Sequence, residues 1–75
     1  MNREEAIKRL YEEDPEFREW KDKHDELDKD IAKLERHHPM THDLELEIEK
    51  LKKEKLYYKD LMERKIQEFL KRGSG

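Results

Sequence analysis

The chain has 75 residues, 52% of them charged and 32% hydrophobic, and its 18 basic and 21 acidic side chains give a net charge of −3. A chain this short forms one domain at most, and it buries only about 60% of the surface that its unfolded form exposes. The absence of cysteine excludes disulfides, thiolate metal sites and thiol nucleophiles. The weakly acidic balance gives no overall attraction to nucleic acid or to anionic membranes.

The first predicted helix covers residues 3–13. Asn2 and, three residues later, Glu5 can satisfy the free backbone N–H groups at a helix start. The apolar residues that follow share one helical face, as expected of a helix that packs against another element. They are Ala6, Ile7, Leu10 and Tyr11.

A second helix is predicted for residues 15–37. Asp14 can cap it, and Pro15 fits the first helical position, where no N–H is needed. Seam residues then recur at alternating spacings of three and four, the heptad pattern by which a helix packs along a partner helix. They are Phe17, Trp20, His24, Leu27, Ile31 and Leu34. Pro39 ends this helix because it forces the preceding residue out of the helical region.

A third helix is predicted for residues 42–72, with Thr41 as its cap and acidic residues in its first turns. The heptad spacing continues through it at Leu44, Ile48, Leu51, Lys55, Tyr58 and Met62. Basic residues suit its C-terminal end, and Gly73 suits the position beyond it. We expect residues 73–75 to form a flexible tail.

The short turn between the second and third helices predicts that they lie antiparallel. The predicted fold is therefore all-α: one coiled-coil-like helical hairpin over residues 1–72, with a short N-terminal helix. In this alignment His24 approaches Lys55 and forms a single polar layer in the seam. The direction of the first helix stays open, because Asp14-Pro15 permits both a continuation past a bend and a fold-back.

Beyond Leu56 the apolar surface of the third helix widens, and one hairpin cannot cover it all. An exposed apolar surface of this kind usually marks an interface. We predict self-association, most simply a dimer that forms a four-helix bundle, and leave open a larger protein partner on the charged outer face. The predicted interface consists of Ile7, Leu10, Tyr57, Leu61, Ile66 and Leu70.

The turn holds His37, His38, His42 and Asp43, the one cluster in the sequence with the chemistry of metal ligands. Adjacent side chains on a helix diverge by about 100°, and Pro39 breaks the spacing that would align the other pair. A solvated turn is the favoured interpretation. We therefore predict no metal and no cofactor, with these three histidines as the candidates should a metal bind.

Residues 50–59, KLKKEKLYYK, place five lysines and two tyrosines within ten positions. Basic residues interleaved with aromatic ones can bind single-stranded nucleic acid through phosphate contacts and base stacking. However, Lys55 and Tyr58 are seam positions, and the acidic residues just upstream repel phosphate. A solvated helix face is the favoured interpretation, and nucleic-acid binding is the alternative function.

We predict no enzymatic activity. The acidic residues are spread evenly, and a two-helix layer offers no pocket that would drive two carboxylate pKa values apart. The single serine, Ser74, lies in the tail, and the only glycines, Gly73 and Gly75, cannot form a phosphate-binding loop.

We expect a cytoplasmic location. No apolar run approaches the ~20 residues of a membrane-spanning helix. Residues 1–5 also lack the pattern of a signal peptide.

Phe17, the stretch KHDELDKDI (Lys23 to Ile31) and the stretch LKKEKLYYKDLM (Leu51 to Met62) resemble the YdcH-like family of small bacterial proteins of unknown function. The resemblance covers roughly residues 9–66. It implies a helical hairpin throughout, and it brings no established activity, cofactor or site residues. The chain departs from the family in its His-rich turn, which is a further argument against a metal site there.

Overall fold

Three helices make up almost all of the chain in the computed structural model, which describes residues 1–73. They are α1 (Arg3–Glu13), α2 (Pro15–Glu35) and α3 (His42–Gly73). Residues 1–73 contain no strand, and the predicted all-α class is confirmed. None of the three helices is long and apolar enough to cross a membrane. Of the predicted tail, Gly73 is helical, and Ser74 and Gly75 lie outside the described residues.

Side chains at the helix ends explain these bounds. Oxygens of Asn2, Asp14 and Thr41 accept hydrogen bonds of 2.8–3.2 Å from backbone N–H groups two or three residues further on. Each bond satisfies an N–H group that has no partner inside its helix. At the other end of α2, the His37 N–H donates to the Leu34 carbonyl at 3.1 Å. This tight turn ends α2 two residues earlier than predicted.

α2 and α3 form the antiparallel hairpin, and α3 runs almost the full 52 Å length of the molecule. All twelve seam residues are buried or half-buried. Both residues of the predicted polar layer pair with carboxylates, and their approach to each other stays a prediction. Lys55 Nζ donates to Asp28 Oδ1 at 2.9 Å, and His24 Nδ1 lies 3.3 Å from Asp25 Oδ1. Each of the two basic side chains therefore lies beside a carboxylate of α2.

α1 folds back at Asp14, whose backbone is extended (φ −115°, ψ 105°). The Tyr11 hydroxyl donates to Asp22 Oδ1 at 2.7 Å. Eleven residues of continuous helix would separate these positions by about 16 Å, so the bond requires the chain to reverse. The direction of α1 that the sequence left open is thus a fold-back across the end of the hairpin.

The main core lies where α1 meets the other two helices. It consists of Ala6, Leu10, Phe17, Met62 and Ile66, and Phe17 is only 1% exposed. We predicted Leu10 and Ile66 at an interface, but they lie in the chain's own core. The reason is the fold-back of α1, which covers the widened apolar part of α3.

Two regions can now be defined. The three-helix end comprises α1, residues 15–25 of α2 and residues 59–73 of α3. The arm comprises residues 26–35 of α2 and 42–58 of α3, which, within residues 1–73, lie beyond the core that α1 forms with the hairpin.

Candidate interaction surfaces

α1 covers one flank of the hairpin, where its apolar face packs into the core and an ion pair lies at its edge. Arg3 Nη1 and Nη2 donate to the two carboxylate oxygens of Glu63 at 2.6 and 2.5 Å. These hydrogen bonds lower the pKa of Glu63 to about 2. Glu63 is therefore ionised at neutral pH, and it cannot supply the proton that general acid catalysis requires.

Beneath this ion pair the three helices enclose a crevice of about 240 Å³. Its floor is apolar and includes Ile7, Phe17 and Met62. Lys21 and Asp25 stand at its rim and bond each other at 2.9 Å. Two pairs of opposite charges, Arg3 with Glu63 and Lys21 with Asp25, thus lie at this crevice.

Within residues 1–73, no helix covers the opposite flank of the hairpin. We call it the open flank and define it as Trp20, Leu34, Leu51, Tyr58 and Leu61, which are all half-buried. The three residues from α3 lie within about 80° of helical arc, turned away from the side that α1 covers. Together these side chains form an apolar strip that runs from the arm to the three-helix end.

Charged side chains border the open flank at both ends. In the arm, Leu34 and Leu51 line a shallow groove whose sides include Lys33 and Glu47. At the three-helix end, Lys65 Nζ lies 5.0 Å from the centre of the Trp20 ring. An apolar strip between charged borders is the usual composition of a protein interface.

Lys65 also ties α3 to the start of α2. Its Nζ lies 2.7 Å from Asp14 Oδ2 and 3.0 Å from Glu16 Oε1. The hydrogen bond from Lys65 lowers the pKa of Asp14. The residue at the fold-back is therefore a helix cap and an ion-pair partner together.

The six predicted interface residues are divided among different places. Leu61 lies on the open flank, whereas Ile7 and Leu70 are half-buried beside the core and Tyr57 is 61% exposed. Sequence reasoning missed Trp20, Leu34, Leu51 and Tyr58 as surface residues because it assigned them wholly to the seam. The signal was present: a seam between only two helices leaves its outer edges open to solvent.

Fewer lysines of residues 50–59 are available to a ligand than the sequence suggests. Lys52 and Lys55 lie 3.6 and 2.9 Å from carboxylates of α2. What remains on the outward side of α3 is Lys50, Lys53 and Tyr57, spaced three and four residues apart. Nucleic-acid binding by this face stays a prediction.

The histidine turn is solvated. His37, His38 and His42 are all exposed, and within residues 1–73 no three His, Asp or Glu side chains are placed to hold a metal ion. The prediction that this chain uses no metal stays a prediction.

A family model described as "Protein of unknown function (DUF465)" matches residues 17–67. The matched part begins at the third residue of α2 and covers nearly all of α2, the turn and most of α3, but not α1. This match is consistent with the resemblance to the YdcH-like family. No curated protein and no solved structure matches the chain.

Proposed function

The chain belongs to the DUF465 family of proteins of unknown function, and we propose that it is a non-catalytic interaction module that self-associates through its open flank. The observation that carries the proposal is the asymmetry of the hairpin. α1 packs over one flank, and the other flank presents five half-buried apolar side chains to solvent.

The area that the chain exposes supports this proposal. A compact protein of 9.4 kDa exposes about 5000 Å², whereas this chain exposes 5877 Å². Its radius of gyration is 15.4 Å, against about 11 Å for a compact chain of this length. The excess of roughly 900 Å² is close to the ~800 Å² that one partner contributes to a standard interface.

The side chains of the open flank favour association with another helix surface. Trp20 and Tyr58 are residue types that interfaces are enriched in, because each combines a large apolar ring with one polar group. A dimer would cover this strip with an equivalent strip, and the result is a helical bundle.

The test is the molar mass of the protein from micromolar to near-millimolar concentration, measured by sedimentation or light scattering. The proposal expects a dimer with twice the chain mass of 9.4 kDa. Replacing Leu61 with Glu places a charge in the flank and should weaken the dimer at least tenfold, since even about 1.4 kcal/mol changes an equilibrium constant by that factor.

Leu56→Glu is the matched control, because Leu56 is 59% exposed and lies off the open flank. This variant should dimerise like the wild type. A wild-type chain that is folded by circular dichroism and remains a monomer at every concentration contradicts the proposal. Equal dissociation by both variants would also contradict it.

A further inference from the structure

One stripe of α3 has a symmetric arrangement of charged and apolar residues. Its six members are spaced seven, four, three, four and seven residues apart, and they fall within about 60° of helical arc on the side of the open flank. They are Glu47, Glu54, Tyr58, Leu61, Lys65 and Arg72.

The midpoint of this stripe lies between Lys59 and Asp60. Glu47 precedes Lys59 by twelve residues, and Arg72 follows Asp60 by twelve. In the same way, Glu54 precedes Lys59 by five residues and Lys65 follows Asp60 by five. Tyr58 and Leu61 are the immediate outer neighbours of Lys59 and Asp60. The stripe is thus acidic in its first half, apolar at its centre and basic in its second half.

We propose that two copies of the chain pair antiparallel along this stripe, about a twofold axis through its midpoint. In this arrangement Glu47 faces Arg72 of the second copy, Glu54 faces Lys65, and Tyr58 packs against Leu61. The inference rests on the self-association proposed above and adds its geometry: the partner, the direction of the helices and their register.

Charge selects this direction. In a parallel, in-register pairing each acidic residue would face the same acidic residue of the second chain. Like charges that face each other across an interface cost binding energy. In the antiparallel pairing every charged residue of the stripe faces an opposite charge. Because a twofold interface is self-complementary, each such contact also occurs twice.

The structure leaves the required charges available. Glu47, Glu54 and Arg72 are exposed, and none of them forms an ion pair within residues 1–73. Lys65 already bonds Asp14 and Glu16. The pair formed by Glu47 and Arg72 is therefore the clearest one to test.

The centre of the stripe supplies the apolar part of the contact. Tyr58 and Leu61 belong to the open flank and are half-buried in the single chain. Within each chain the Tyr58 ring lies edge-on to Tyr57, 5.3 Å between ring centres. Across the axis, Tyr58 and Leu61 would form two equivalent contacts, one on each side of the midpoint.

The experiment is a charge exchange measured as the dimer dissociation constant in low-salt buffer. Glu47→Arg places Arg against Arg, and Arg72→Glu places Glu against Glu, twice in each dimer. Each single variant should weaken the dimer roughly three- to tenfold, in line with two like-charge contacts of a few tenths of a kcal/mol or more each. The double variant should return to within about twofold of the wild type.

Two controls separate this register from a general effect of charge. Glu26→Arg makes the same change of net charge on an exposed residue of α2, away from the stripe, and should leave the dissociation constant unchanged. High salt should shrink the difference between single and double variants, because it screens exposed charges.

A second measurement uses the absence of cysteine in the chain. Mixing the Tyr58→Cys variant with the Leu61→Cys variant under mild oxidation should give a covalent dimer faster than either variant alone. A register centred elsewhere does not bring these two positions within the distance that a disulfide requires.

The outcomes distinguish the two proposals. If the wild type is a monomer, both proposals are overturned. If the wild type is a dimer but the double charge variant stays as weak as the single ones, the register is wrong and self-association stands. Faster crosslinking in either single variant than in the mixture would also overturn the register.

Discussion

The three-helix end and the arm use the same kind of amphipathic helix with different results. At the three-helix end five residues form one buried cluster, with Phe17 at its centre and 1% exposed. In the arm Leu27, Ile31 and Ile48 are buried, and their apolar neighbours Leu34 and Leu51 remain half-exposed.

This difference shows what a third helix adds. Two helices enclose a single row of side chains, and the flanking residues of that row keep an open edge. A third helix closes one edge and turns the row into a cluster, in which each buried side chain has neighbours on more sides. The eleven residues of α1 are thus sufficient to create a core at one end.

The largest effect should come from removing the centre of that core. Phe17→Ala should cost about 3–5 kcal/mol, the usual range for a buried aromatic residue. For a domain whose total stability is on the order of 5 kcal/mol, this loss unfolds much of the population. Leu34→Ala in the arm should cost less than about 2 kcal/mol, because Leu34 is already half-exposed.

Both variants can be compared by chemical denaturation followed by circular dichroism, at a concentration below dimer formation. Equal losses would mean that the arm is as tightly packed as the three-helix end. The comparison between the two regions would then be wrong.

An intermediate effect is expected at the fold-back. Asp14→Ala removes the cap of α2 and the ion pair with Lys65 together, and should cost roughly 1–2 kcal/mol. Asp14→Asn keeps a capping oxygen and loses only the charge. It should therefore cost less than the alanine variant in the same denaturation experiment. If the two variants lose the same stability, the ion pair and not the cap fixes this junction.

The smallest effect concerns the ion pair that holds α1. The folded chain lowers the pKa of Glu63 from 4.5 to about 2, chiefly through hydrogen bonds from Arg3. The stabilisation is therefore present above pH 4.5 and is lost as the pH falls towards 2. Because both side chains are well exposed, the contribution at neutral pH is at most about 1 kcal/mol.

Arg3→Gln tests this contribution. The variant should be slightly less stable than the wild type at pH 7, and the gap should narrow between pH 4.5 and pH 2. Lys8→Gln removes a charge from the exposed side of α1 and is the control. A gap that stays constant with pH would show that Glu63 does not stabilise the folded chain through its charge. Titration of the Glu63 carboxyl by NMR gives the same information directly.

Much of the fold could be predicted because local chemistry fixes it. Asn2, Asp14 and Thr41 carry the oxygens that begin each helix, and Pro39 prevents α2 from running into α3. The heptad spacing then determines which side chains face the seam. These features depend on residues close in sequence, so one sequence is enough to find them.

The remaining features depend on contacts between distant residues. Whether α1 continues or folds back is decided by the contact of α1 with the core, in which Leu10 and Ile66 are buried together although they lie far apart in the chain. Asp14 can end one helix and begin the next in either case. The same contact moved two predicted interface residues into the core. It also left the open flank, and not the predicted interface as a whole, as the candidate surface.

The ion-pair partners of individual side chains could not be predicted from the sequence either. Helical spacing places Lys55 and His24 at one level of the seam, but it does not show which carboxylate each will meet. In the structure Lys55 bonds Asp28, and His24 lies beside its neighbour Asp25. The early end of α2 likewise depends on a single backbone hydrogen bond from His37.

The position of the chain's one tryptophan has a practical consequence. Trp20 lies half-buried on the open flank, on the side of the hairpin that α1 leaves bare. An association that covers this flank removes water from the indole ring and should shift its fluorescence emission to the blue. The protein therefore carries an intrinsic optical label that responds to the pairing of two chains.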